Sequence, residues 1–277
     1  MDVVNYHLAF AAQFLAKDAR SMIEKFPVTI PALTGKRRKR NVYVYVPDHF
    51  DGDPDMRFPV LYMFDGHNVF FDEDATYGKS WGMKEFLEQT GAPLIVVAVE
   101  CCHDPKPGRL SEYAPFTFSG KKFGRIHGRG EITMDWFVNT LKPMIDDHYP
   151  TLPGRESTFI AGSSMGGLMS LYALLAHNDV YSRAAALSHS VWCCRRKMLA
   201  LIRTAELAPD TVLYMDYGSR EMSNHEGMRE VFADVTASLM RRGVHVTSRI
   251  VPGGEHCEAS WEEQLPYFIN TLLYQRD

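Results

Sequence analysis

The chain has 277 residues, of which 45% are hydrophobic and 23% are charged, and its formal net charge is −4. This composition is typical of a globular protein and excludes a disordered, collagen-like or coiled-coil chain. The weak negative charge argues against a nucleic-acid partner, which would require a basic surface. No apolar run approaches the roughly 18 residues that cross a membrane, so no membrane partner is expected.

The cysteines and the N-terminal sequence predict where the protein works. The five cysteines are Cys101, Cys102, Cys193, Cys194 and Cys257. Their number is odd and four of them form adjacent pairs, which suits neither a disulfide framework nor a CxxC metal site. We therefore expect free thiols and no bound metal, with a vicinal disulfide as the rarer alternative. The apolar stretch 8–16 lacks a preceding basic residue, so it does not resemble a secretory signal and a cytoplasmic location is predicted.

The N-terminal part of the chain predicts an extension followed by a hairpin. Residues 1–25 form the extension, and the helical pattern of 14–26 indicates a packing or dimer element, which leaves a homo-oligomer open. Residues 26–33 and 40–47 have strand-like composition. Gly35 lies between them, directly before the basic run 36–40, and favours a turn with solvated charges over a nucleic-acid or localisation patch. The two segments therefore predict an antiparallel hairpin at one edge of a sheet.

Beyond the hairpin, strand-like and helix-like segments alternate. The predicted strands are 58–64, 93–99, 157–162, 183–188, 211–217 and 244–251. The predicted helices are 80–90, 131–147, 165–176, 194–207, 225–242 and 258–275. Several of the strands are almost continuously apolar, as expected for parallel strands that are covered on both faces. The pattern predicts one α/β domain over 1–277, with a mostly parallel central sheet and helices on both faces.

The segment 101–130 has neither a helical nor a strand period. It is rich in proline and glycine, and it carries more basic than acidic residues. A loop of this length within a compact domain usually has a function. We therefore expect it to lie over the active site and to favour an anionic or hydroxyl-rich substrate.

The strongest catalytic signal is a GxSxG pattern made by Gly162, Ser164 and Gly166. It lies between a predicted strand, 157–162, and a predicted helix, 165–176, which is the context that a nucleophile elbow requires. The elbow is sharp, and strand and helix pass close together, so only glycine fits two positions before and two after the serine. Ser164 is therefore the predicted nucleophile.

A serine nucleophile needs a base and an acid, which follow it in the order acid and then histidine in this architecture. His256 follows the last predicted strand, 244–251, and is the predicted base. The acid should lie near the end of 211–217, where Asp216 and Glu221 are the candidates. Site logic favours Glu221, because its loop can reach the histidine loop, whereas Asp216 lies inside the strand.

Two backbone amides are expected to form the oxyanion hole. One belongs to Met165, the residue after the nucleophile, and the other comes from the loop after the strand 58–64. In that loop Gly66 allows a turn, and the amide of His67 is the predicted donor.

The chain resembles the putative esterase family of α/β hydrolases, which includes enterochelin, feruloyl and acetyl-xylan esterases. The matching segments are 60–68, 109–115, 162–167, 187–192, 218–221 and 253–261. The resemblance implies an α/β-hydrolase fold and ester hydrolysis. It also favours Glu221 as the acid, because the family carries the acid in the loop that matches 218–221. His67 departs from the family, which usually has glutamine at this position.

The predicted function is hydrolysis of a small-molecule carboxylic ester by a serine esterase, through an acyl-enzyme intermediate and without a cofactor. An acyltransferase is the alternative, because the same triad can pass its acyl group to an alcohol. A non-catalytic binding module is disfavoured by the intact triad.

Five further residues are predicted to contact the substrate. Trp81, Trp192 and Trp261 each follow the carboxyl end of a predicted strand, where open α/β sheets bind ligands. Arg109 and Tyr113 lie in the family-like stretch of the 101–130 loop. The aromatic residues would favour a flat acyl group or a sugar face.

Overall fold

The computed structural model describes residues 22–34, 38–47, 55–104, 108–120, 124–223 and 227–274. Residues 1–21 of the predicted extension and residues 35–37 of the predicted turn lie outside these ranges. Met22–Thr29 is a strand. The helical pattern over 14–26 is therefore wrong for its last five residues, because edge pairing with the next strand decides their conformation.

In the described part of the chain, eight strands form one sheet. They are β1 (Met22–Thr29), β2 (Lys39–Val46), β3 (Val60–Phe64), β4 (Ile95–Val99), β7 (Thr158–Ser163), β8 (Arg183–Leu187), β9 (Val212–Gly218) and β10 (His245–Val251). Their order across the sheet is β1-β2-β4-β3-β7-β8-β9-β10. β1 and β2 are antiparallel, β2 is antiparallel to β4, and the others are parallel. The predicted fold class is confirmed, including the antiparallel hairpin at one edge.

Helices flank this sheet. They are α1 (Pro31–Thr34), α2 (Met83–Thr90), α3 (Gly108–Glu112), α4 (Gly130–Trp136), α5 (Lys142–His148), α6 (Met165–Ala176), α7 (Arg195–Thr204), α8 (Met228–Arg241), α9 (Glu258–Glu262) and α10 (Leu265–Leu273). A π-helical turn, Phe137–Leu141, joins α4 to α5. None of the described helices combines the length and apolar character that a membrane span needs.

The alternation of side chains along the central strands explains why the sheet is covered on both faces. In β3, Tyr62 and Phe64 pack into one core cluster with α6, whereas Leu61 and Met63 pack into a second cluster with α10. All five residues of β3 are buried. Successive side chains of a strand point to opposite faces, so a continuously apolar strand needs a layer on each side.

The segment 101–130 contains short elements that its sequence did not reveal. It holds α3 and a two-stranded hairpin of β5 (Phe118–Gly120) and β6 (Gly124–Ile126). Three-residue strands are too short to show a period. The segment follows β4, so it begins at the carboxyl edge of the parallel strands. The loops after β3, β7, β8, β9 and β10 open on the same edge.

Candidate active site

Ser164 lies at the turn between β7 and α6, in a strained conformation with φ 58° and ψ −118°. A Cβ atom on Gly162 would lie 2.8 Å from the carbonyl carbon of Gly166, so any larger residue there would disturb the turn. The Ser164 amide donates to the Leu187 carbonyl at 2.9 Å, and the Ser190 amide donates to the Ser164 carbonyl at 2.9 Å. The end of β8 and the loop after it thus fix the turn through both the amide and the carbonyl group of Ser164. Backbone strain of this kind is typical of functional positions.

His256 and Glu221 form a hydrogen-bonded pair. The Nδ1 atom of His256 lies 2.6 Å from Oε2 of Glu221, whose side chain is only 1% exposed. Oε1 of Glu221 accepts hydrogen bonds from the Gly218 amide and the Ser188 hydroxyl, each at 2.6 Å. A carboxylate that accepts from Nδ1–H leaves the lone pair of Nε2 free to take a proton.

The main chain brings the acid loop and the histidine loop together. The Ser219 amide donates to the Val251 carbonyl at 2.9 Å, and the Arg220 amide donates to the Gly254 carbonyl at 3.1 Å. A Cβ atom on Gly218 would collide with the backbone of Gly254. The close approach of two glycines therefore sets the distance between the two loops.

Asp216, the alternative acid, has a different partner. It is buried on β9 and accepts a hydrogen bond from the Tyr214 hydroxyl at 2.8 Å. Burial raises the pKa of Asp216 to about 7, while the Tyr214 hydrogen bond opposes the shift. The structure therefore brings Glu221, and not Asp216, to His256.

The predicted oxyanion donors lie at the start of two helical segments. Met165 is the first residue of α6, and His67 lies in the 3-10 turn Gly66–Asn68 that follows β3. Amides in the first turn of a helix lack acceptors within that helix. A Cβ atom on Gly66 would lie 2.6 Å from the Ala98 carbonyl group, so glycine lets this turn lie against β4.

An ion pair fixes the 3-10 turn Gly66–Asn68, named the oxyanion turn after its predicted role, to the 101–130 segment. Nε and Nη2 of Arg109 each lie 2.6 Å from a different carboxylate oxygen of Asp65, the residue before Gly66. Burial opposes ionisation of Asp65, but the Arg109 guanidinium outweighs burial and lowers the pKa of the carboxyl. The Asp65 amide donates to the Tyr113 hydroxyl at 3.2 Å, and Tyr113 is 1% exposed. Tyr113 therefore supports the turn from the core and does not line the pocket.

The three tryptophans have different surroundings. Trp192 lines the pocket beside Ser164. Trp81 and Trp261 are buried against each other, with ring centroids 5.7 Å apart. The Trp261 ring also packs edge-on against His256 at 5.1 Å, and its indole N–H donates to Ser188 Oγ at 3.0 Å. Both rings therefore belong to the core, and Trp261 also packs against His256.

Sequence reasoning missed two residues of the site. Ser188 joins Glu221 to Trp261 through its hydroxyl, and its φ of 46° is unusual for a residue other than glycine. Glu258 accepts a hydrogen bond from the Asn68 side chain at 3.0 Å and so links α9 to the oxyanion turn. Ser188 directly follows β8, and that position at the carboxyl edge was the available signal; Glu258 offered none.

A pocket of about 230 Å³ lies beside Ser164, Glu221 and His256. Its lining comprises Arg109, Leu110, Phe118, Ser164, Met165, Ser188, Ser190, Trp192, Glu221, Met228 and His256. The predicted nucleophile, base and acid therefore share one cavity. Three of the lining residues, Arg109, Leu110 and Phe118, come from the 101–130 segment.

The sequence matches the Esterase family, described as "Putative esterase", over residues 34–273. The chain belongs to this family. The resemblance seen in the sequence is confirmed, and the protein is a carboxylesterase, an enzyme that hydrolyses carboxylic esters.

Individual proteins resemble the chain in sequence or in fold. The uncharacterized protein YbbA of Bacillus subtilis (strain 168) is 24% identical over 189 residues, which cover 67% of this chain and 70% of YbbA. A ferulic acid esterase superposes with a TM-score of 0.67 at 15% identity, covering 92% of this chain and 98% of its own. An IroE-like serine hydrolase from Shewanella oneidensis gives 0.67 at 19% identity, covering 90% and 79%. At these identities the structures show a shared fold.

Proposed function

We propose that this esterase works through Ser164, His256 and Glu221 as a catalytic triad. The main support for this proposal is the 2.6 Å distance between His256 Nδ1 and Glu221 Oε2. Both residues line the same pocket as Ser164, whose backbone is strained. Glu221 holds the imidazole in one tautomer and stabilises the imidazolium that forms during the reaction.

The proposed reaction has two steps. His256 Nε2 takes the proton of the Ser164 hydroxyl as its oxygen attacks the ester carbonyl, and the same proton then goes to the departing alcohol. Water next attacks the acyl-enzyme with His256 again as base, which releases the acid and restores the serine. The amides of Met165 and His67 donate to the oxyanion that develops in each step.

The pocket volume limits the acyl group. An apolar cavity of about 150 Å³ holds benzene, and the pocket here measures about 230 Å³. Leu110, Phe118 and Met228 give it apolar walls. We propose an acyl group with a short chain or a single ring, and ferulic acid, which names one of the similar structures, is a single-ring acid. Turnover of acetyl and benzoyl p-nitrophenyl esters, with little turnover of the palmitoyl ester, is the expected profile.

The nucleophile is tested by substitution and labelling. Ser164→Ala should lower kcat by about 10⁶-fold and should abolish covalent labelling by a fluorophosphonate. Ser163→Ala is the matched control, because Ser163 is the buried neighbour on β7, and it should still be labelled. Labelling that survives Ser164→Ala and disappears in Ser163→Ala would refute the assignment.

The acyltransferase alternative uses the same residues and differs only in the acceptor. The distribution of products separates the two reactions when an alcohol is added to an ester assay. We expect free acid as the main product, and an excess of the new ester at low alcohol concentration would favour the transferase.

A further inference from the structure

Three potential metal ligands lie together behind the oxyanion turn. His67, Cys101 and His103 each offer one ligand atom, and these atoms lie within 4.8 Å of one another. His67 and Cys101 are buried, whereas His103 is exposed. The rings of His67 and His103 have centroids 4.7 Å apart. The cluster joins the loop after β3 to the loop after β4. Its residues match neither the CxxC nor the HExxH spacing of a metal site, so the sequence did not predict it.

The hydrogen bonding of His67 leaves one ring nitrogen available. Its Nε2 atom lies 3.0 Å from the Thr76 hydroxyl, while Nδ1 is buried and has no hydrogen-bond partner in the described part of the chain. A buried nitrogen without a partner is unfavourable. A metal-ligating histidine typically donates its other N–H to an oxygen, as Nε2 can do here towards Thr76. This second observation points to a ligand on Nδ1.

We propose that His67, Cys101 and His103 form a three-ligand site for a thiophilic divalent cation, with Zn²⁺ as the ion that fits best. Two imidazoles and one thiolate select Zn²⁺ over Mg²⁺ or Ca²⁺, which prefer oxygen ligands. Bond lengths of about 2.0–2.3 Å at tetrahedral angles separate ligand atoms by about 3.3–3.7 Å. The three ligand atoms lie within 4.8 Å of one another, so the side chains must move closer together to bind the ion.

Binding replaces the thiol proton of Cys101 by the metal. The S–H bond breaks, the sulfur–zinc bond forms, and the proton passes to solvent, so no oxidant or reductant is needed. Water occupies the fourth position of the ion. Loading would fix the side chain of His67, whose own amide is the proposed oxyanion donor, to the loop after β4. The site is therefore structural or regulatory and lies outside the ester-binding pocket.

The proposal is tested on the full chain after chelation and dialysis. Titration with Co²⁺ should give one ion per chain and a sulfur-to-cobalt charge-transfer band, and Zn²⁺ should displace it and raise the Tm. His103→Ala, a substitution at an exposed position, should weaken binding of both ions at least tenfold. Cys101→Ser should remove the charge-transfer band.

Two matched controls lie nearby in the sequence. His127→Ala removes another exposed histidine, and Cys102→Ser removes the adjacent cysteine, so both should leave binding and the Zn²⁺-induced rise in Tm unchanged. The proposal fails if binding is not stoichiometric, if His103→Ala binds as tightly as the unmodified chain, or if either control lowers the affinity to the same extent. None of these outcomes depends on ester turnover, so the metal site and the proposed triad can fail separately.

Discussion

At the scale of single residues, Glu221 accepts hydrogen bonds from three donors, which supports its proposed role as the acid. Its carboxylate accepts from the His256 ring, the Gly218 amide and the Ser188 hydroxyl. Hydrogen bonds to a charged acceptor are stronger than neutral ones, and a buried carboxylate requires them. The acid is therefore fixed in place before any substrate arrives.

Replacing this carboxylate by an amide should disrupt the pair with the histidine. In Glu221→Gln the amide NH₂ must face either His256 Nδ1–H or the Gly218 N–H, and donor would then meet donor. We expect kcat to fall by about 10⁴-fold, as for a lost triad acid, while folding by circular dichroism is retained. Asp216→Asn is the matched control and should keep most of its activity; the reverse ranking of the two variants would exclude Glu221 as the acid.

Asp216 instead affects stability, in a direction set by its raised pKa. The pKa of Asp216 is about 7 in the folded state and about 3.9 in the unfolded chain. Between these values the unfolded carboxyl loses its proton and the folded one keeps it, so stability falls as the pH rises from about 4 to about 7.

Asp216→Asn should abolish that loss. The free energy of unfolding of the variant, relative to the unmodified chain, should increase between pH 5 and pH 7 and level off above pH 8, by about 1.4 kcal/mol per unit of pKa shift at most. Urea unfolding at four pH values measures it. A difference that does not change with pH would show that Asp216 is ionised throughout this range.

The sequence placed the residues of the proposed triad at strand ends, but it did not predict the direction of every side chain. Ser164, Glu221 and His256 each follow the carboxyl end of a strand, so all three lie at the same edge of the sheet. Trp81 and Trp261 also follow strand ends, yet both are buried in the second core cluster, where they pack against each other and Trp81 packs against Phe268. Position in the sequence does not tell whether a side chain that follows a strand enters the core or the pocket.

At the scale of elements, α3 holds the oxyanion turn as well as lining the pocket. Both Arg109 donors that reach Asp65 come from one planar guanidinium, a fork that lysine cannot copy. Glu112 does not pair with Arg109, because it forms a buried ion pair with Arg40 of β2. The helix is thus attached at two separate points, to Arg40 of β2 and to Asp65 directly after β3.

Arg109→Lys should therefore disturb the turn and not only the substrate contact. We expect a loss of about 1.5–3 kcal/mol of stability, the contribution of one hydrogen bond to a charged group, and a similar drop in kcat for acetyl and benzoyl esters. Arg125→Lys, on the exposed β6 strand, should change neither the Tm nor kcat. A rise in KM confined to the larger ester, with an unchanged Tm, would mean that Arg109 acts mainly on the substrate.

The elements themselves were largely predictable, and one error is instructive. The predicted helix 258–275 is divided into α9 and α10, which begins at Leu265. Pro266 follows at once; it has no N–H to donate to Glu262 and suits the first turn of a new helix. The periodicity of apolar residues continues across the break, so the sequence predicted one helix where the structure has two.

At the scale of the whole molecule, α10 closes one face of the sheet. Phe268 and Leu272 are fully buried in the second core cluster, and Phe268 contacts Trp81 and Tyr214. The same cluster contains Trp261, which supports His256. Stability and the position of the base therefore depend on one packed layer.

Phe268→Ala should destabilise the entire fold by about 3–5 kcal/mol, as expected for a large buried side chain. Activity and tryptophan fluorescence should be lost at the same urea concentration, because the helix and the histidine loop belong to one cooperative unit. Tyr267→Ala, on the half-exposed side of α10, is the control and should cost much less. Separate midpoints for activity and fluorescence would show that the site unfolds before the core.

The contact between Gly218 and Gly254 has a consequence for how selectivity can change. Backbone atoms set the spacing of the acid and the base, whereas Leu110, Phe118 and Met228 form the apolar wall from other stretches of chain. In the proposed site, the spacing of acid and base and the shape of the acyl pocket are therefore set by different residues. Substitutions confined to the wall positions should therefore change which acyl groups the enzyme accepts, while the residues proposed to cleave the ester stay the same.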